Sequence, residues 1–110
     1  MQQQFNLALW RISREIMVYL LTNPCLMQDQ NNLEIFKNIR ELRIEQTLMR
    51  SPHMSYEEAI ITVDLLSDCE QQLEPSNKIF SQETLNLFRN RILPKDYKTL
   101  VKKFNQLKNK

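Results

Sequence analysis

Few side chains in this sequence are able to do covalent or metal chemistry, and none stands in a working pattern. His53 is the single histidine, so the His-x-x-x-His pair of a zinc site cannot form. Met49 and Met54 flank it, a soft-ligand set on paper, yet methionines near helix ends are ordinary gap-filling core residues. Cys25 and Cys69 lack C-x-x-C spacing, and two cysteines make no disulfide framework. Both read as free thiols, which points to a reducing compartment. Pairing either thiol with His53 would need a third group to orient the imidazole, and the sequence offers none. Glycine is absent altogether. Phosphate-cradling loops and dinucleotide fingerprints rely on glycine's positive-φ backbone, so those chemistries are not expected. No catalytic residue, metal ligand or cofactor is assigned, and the chain is expected not to be an enzyme.

Charge offers more. Arg11, Arg14, Lys37, Arg40 and Arg43 would serve an anion pocket between helices, as basic residues do in small helical enzymes that clamp dicarboxylates. Alternations such as Lys37 and Glu41 fit a solvated helix side with i,i+4 pairing better. The net charge of +2 conceals a partition along the chain. Residues 1–50 sum to +1, residues 51–75 to −6 with no basic side chain, and residues 76–110 to +7. In the last stretch Arg89, Arg91, Lys95, Lys98, Lys102 and Lys103 form a basic supply suited to a phosphate backbone or an acidic protein partner. Lysine dominates it. An ammonium acts as a point charge and not as a bidentate reader of bases, so any nucleic-acid binding through this stripe would be weakly sequence-specific.

These side chains are positioned by helices. Apolar residues make up 42% of 110 residues, enough for one folded domain spanning residues 1–110. The punctuation predicts an all-α bundle of about five helices, three long and two short, with no sheet. The first runs from about Gln3 to Leu21 and stops at Asn23-Pro24. The second covers about Asn32 to Arg50, ended by Ser51-Pro52. Ser55 and Glu58 form a capping box that opens a third helix, which ends near Leu73. Ser81 caps a short fourth helix through Leu93, and Pro94 suits the first position of a fifth. The longest unbroken apolar run, Ile16 to Leu21, is too short to span a bilayer. The start, Met1-Gln2-Gln3-Gln4, has no secretory character. A cytoplasmic protein without membrane insertion is expected.

Helical periodicity then sorts the faces. The first helix groups Phe5, Ala8, Leu9, Ile12, Ile16, Tyr19 and Leu20 on one side, with Trp10, Met17 and Leu21 almost opposite. The second carries Ile35, Phe36, Ile39, Leu42 and Met49 on one side and Leu33, Ile44 and Leu48 on another. The third groups Tyr56, Ala59, Ile60, Val63, Leu66 and Leu73, leaving Ile61 and Leu65 nearly across from them. A helix that is apolar on two sides is usually central, but in so small a bundle three helices can hardly all be central. At least one secondary stripe is therefore expected at the surface, where an apolar patch marks an interaction site. The candidates are Trp10, Met17 and Leu21 on the first helix, and Ile61 and Leu65 on the third. The function expected from this is binding of another protein chain, a different one or a second copy, in an adaptor, chaperone, immunity or regulatory role. A nucleic-acid-associated protein using residues 76–110 is the alternative.

Overall fold

The computed structural model describes residues 5–90 and 94–108. Five α-helices account for most of them: α1 (Leu7–Thr22), α2 (Gln30–Arg50), α3 (Tyr56–Leu73), α4 (Gln82–Asn86) and α5 (Tyr97–Lys108). No strand occurs among the described residues. The all-α reading is therefore correct.

Side-chain caps set most of the boundaries. The Asn6 side chain accepts the N–H of Leu9 and starts α1; the expected start at Gln3 lies outside the described residues. Asp29 caps α2 by accepting from Asn31. That helix begins earlier than expected, because Pro24–Gln28 folds into a 3₁₀ turn and shortens the loop before it. The capping box of α3 forms as read, with Ser55 and Glu58 satisfying each other's backbone N–H groups. Ser81 caps α4, but α4 ends at Asn86. Beyond it the N–H groups of Leu87, Phe88 and Arg89 bond three residues back, and the Asn38 amide donates to the carbonyls of Phe88 and Arg89. Those bonds tighten the chain while Phe88 enters the core fully buried. Residues 91–93 of the expected fourth helix lie outside the described residues. Pro94 begins a 3₁₀ turn, Pro94–Asp96, that leads into α5.

Two apolar clusters follow from the faces. The larger joins Leu9, Ile16, Met17 and Leu20 of α1 to Ile35, Ile39 and Leu42 of α2, with Leu85, Phe88, Tyr97, Leu100 and Phe104 from the C-terminal third. The smaller, Ile44, Ala59 and Val63, joins α2 to α3. In consequence α1 packs against α2, α3 and α5, and α2 against α1, α3 and α4. These are the two central helices. α3 rests on α1 and α2 with its other side open.

Candidate partner-binding face

The central position of α1 decides the fate of its second stripe. Met17 is 1% exposed and belongs to the main core. Leu21 is half-buried against that core. Trp10 is half-buried as well, its ring stacked under the Arg43 guanidinium at 4.5 Å and tilted against Phe5 at 5.9 Å. The expectation of an open Trp10–Met17–Leu21 face is thus corrected. α3 covers much of it, because the stripe points toward the side on which α3 packs.

Arg43 occupies the junction of these three helices and is fully buried. Its Nη1 donates to Ser67 Oγ at 2.7 Å and to Glu70 Oε1 at 2.9 Å, and Nη2 donates to Glu70 Oε2 at 3.2 Å. Arg14 of α1 also binds Glu70, and reaches Glu74 at 3.3 Å. Arg40 holds Asp64 by two hydrogen bonds of 2.8 Å. These bonds from Arg40 outweigh burial and keep the Asp64 carboxyl below its usual range. Tyr56 donates to Glu41, which raises the phenol above its ordinary value. Arg14, Arg40 and Arg43 therefore find their anions inside the molecule, on α3 and at its C-terminal cap, and Glu41 is taken by Tyr56. The role of Glu70 escaped the sequence reading. Its signal was available: Glu70 follows Ala59 and Val63 at helical spacing and so falls on the buried face of α3.

The second candidate stripe is open. Ile61 is 59% exposed and Leu65 62%. Tyr56, Leu66 and Leu73, expected on the core side of α3, are exposed as well, because α3 buries only the narrow line of Ala59, Val63 and Ser67. Asp68, Glu57 and Glu58 are exposed on the same helix, and none of them makes an ion pair among the described residues. The outer side of α3 is thus an apolar ridge with acid along it. Beside the ridge a cleft of about 240 Å³ opens between α1, α2 and α3. Met17, Leu21 and Phe36 line one part of it, and Asp64, Ser67 and Asp68 another.

The basic candidates lie elsewhere. Lys95, Lys98, Lys102 and Lys103 are all exposed, because Tyr97, Leu100 and Phe104 turn the apolar side of α5 into the core. These four lysines make no ion pair among the described residues. α5 packs on α1 and α4, so acid on α3 and base on α5 do not neutralise each other. Arg89 is exposed, at 4.0 Å from Glu34, and Arg91 lies outside the described residues. Lys78 and Lys108 both meet Glu15.

Cys25 and Cys69 are exposed, unpaired thiols. His53 is exposed in the connection between α2 and α3. Among the described residues no three His, Cys, Asp or Glu side chains gather as metal ligands, and no helix is long and apolar enough to cross a membrane. Compared with known proteins, the chain matches no family model, no curated protein and no solved structure.

Proposed function

We propose that this protein is a non-catalytic helical module that acts by binding another protein through the outer face of α3. The observation that supports this is the exposure of Ile61 and Leu65, one turn apart on the outer side of α3. Isolated surface leucines need no explanation, but two large apolar side chains stacked on successive turns of one open helix cost hydration unless something covers them. Covering it recovers about 25 cal/mol per Å² of apolar surface. The test compares the wild-type chain with Ile61→Asp/Leu65→Asp, both purified from the native host under identical conditions. The wild type is expected to carry a stoichiometric protein that the double variant lacks, while both give the same helical circular dichroism. A variant that retains everything the wild type binds would overturn the reading.

A second reading rests on four unpaired lysines, Lys95 just before α5 and Lys98, Lys102 and Lys103 on it, an element that packs on α1 and α4. It is nucleic-acid association through phosphate contacts. Such contacts release counterions, so log K falls steeply with log salt. A flat salt dependence with duplex or single-stranded nucleic acid excludes this second reading.

A further inference from the structure

We infer that the α3 face accepts a cationic amphipathic helix of a different protein, seated on the Ile61–Leu65 ridge with one apolar side chain entering the adjoining cleft. This deepens, and rests on, the reading of that face as an interface. Ile61, Leu65 and Asp68 follow one another at helical spacing, so they share a side of α3. Glu57 and Glu58 lie one turn before Ile61 on the same exposed surface. The surface therefore reads acid, apolar, apolar, acid over about three turns, the length of an ordinary recognition helix. Asp68 also stands at the cleft, opposite Leu21 and Phe36. At about 240 Å³ the cleft falls below the range of about 300–1,000 Å³ typical of small-molecule pockets. It suits one leucine- or methionine-sized side chain.

Charge selects the occupant. No lysine or arginine occurs between residues 51 and 75, and Arg14, Arg40 and Arg43 are already committed to Glu70, Glu74 and Asp64. The exposed carboxylates of the ridge thus lack cations, and the partner must supply them. A second copy fits poorly. Pairing α3 with α3 sets acid against acid across a two-fold axis. The α5 of another copy brings lysines but no apolar ridge, since Tyr97, Leu100 and Phe104 are buried. Ile79, exposed next to Lys78, is a single apolar residue, and that ammonium is already bound to Glu15.

The test uses two synthetic helical peptides of about five turns, each with a leucine ridge at i, i+3, i+4 and i+7. One is flanked by lysines and the other by glutamates. Binding is read by anisotropy of the labelled peptide, and by protection of Cys69 from alkylation in a Cys25→Ser background. The thiol is exposed one turn beyond Leu65. The lysine-flanked peptide is expected to bind about tenfold or more tightly than its counterpart and to protect Cys69. Glu57→Lys/Asp68→Lys should reverse that order. Leu65→Asp should abolish binding even though it adds negative charge, which separates docking from bulk attraction. Equal binding of both peptides, lost in Leu65→Asp, keeps the face as an interface and overturns the cationic partner. Binding indifferent to Leu65→Asp, or absent for the lysine-flanked peptide, overturns the site. A concentration-dependent dimer that Leu65→Asp abolishes overturns the choice of a different protein.

Discussion

A guanidinium with no exposure at all is costly to bury, and at Arg43 the hydrogen bonds from Nη1 and Nη2 to Glu70 and Ser67 offset that cost, while Nε finds no partner among the described residues. Removing one member of a buried pair strands the other. Glu70→Ala is therefore expected to lower folding stability by about 3–5 kcal/mol, measured by denaturant unfolding. The joint replacement Arg43→Met/Glu70→Leu should recover most of that loss, because the two desolvation costs vanish together. Trp10 belongs to the same junction. Its ring lies over the Arg43 charge, so Trp10→Ala should cost about 2 kcal/mol or more of folding stability. Binding by the α3 face should stay unchanged in that variant wherever it folds. A weakened association with stability intact would return Trp10 to the interface.

Elements differ in how they are secured. α3 is anchored from one side only, by the small Ile44–Ala59–Val63 cluster and by its carboxylates on Arg14, Arg40 and Arg43. Its attachment should therefore weaken in acid. Asp64 has a carboxyl pKa lowered in the fold; it contributes stability above its unfolded pKa and loses it as pH falls through the folded one. The melting-temperature gap between wild type and Arg40→Gln is accordingly expected to be widest near about pH 7 and to close toward about pH 3. The pair is half exposed, so the gap at neutral pH should be modest. A gap that does not change with pH would show that Arg40 acts through packing. The outer residues of the same helix should behave oppositely. Ile61→Asp and Leu65→Asp are expected to move stability by no more than about 0.5 kcal/mol, because those side chains touch mostly water.

At the level of the whole molecule, charge is separated in space as well as in sequence. Acid lies on α3, base on α5, and α1 packs against both. Such a distribution steers charged partners over distances of about a Debye length and is screened by salt. The α3 partner and any ligand of the lysine face should thus bind independently. Neutralising Lys98, Lys102 and Lys103 to glutamine is expected to leave binding by the α3 face within about threefold. The thiols supply a separate check. With Cys25 and Cys69 both exposed and unpaired, a reducing agent should not change the melting temperature, whereas a structural disulfide would contribute about 2–4 kcal/mol.

Local rules were legible in the sequence where they act locally. The capping box at Ser55 and Glu58, the stops at Pro24 and Pro52, and the buried side of α5 each depend on residues within a turn or two of one another. Those were enough to establish an all-α chain of five helices. The ridge of Ile61 and Leu65 was also visible, as a stripe with no obvious neighbour. What periodicity could not rank was which twice-apolar helix lies inside, since Trp10, Met17 and Leu21 make as good a stripe as Ile61 and Leu65. Ranking them requires knowing which helix packs against three others, and that follows from how all five share one volume. The same packing committed Arg14, Arg40 and Arg43 to carboxylates far along the chain, and left Glu57, Glu58 and Asp68 of α3 and Lys98, Lys102 and Lys103 of α5 without ion pairs among the described residues. Tertiary structure alone decided this, because burial and ion pairing belong to pairs of surfaces and a linear pattern describes each surface by itself.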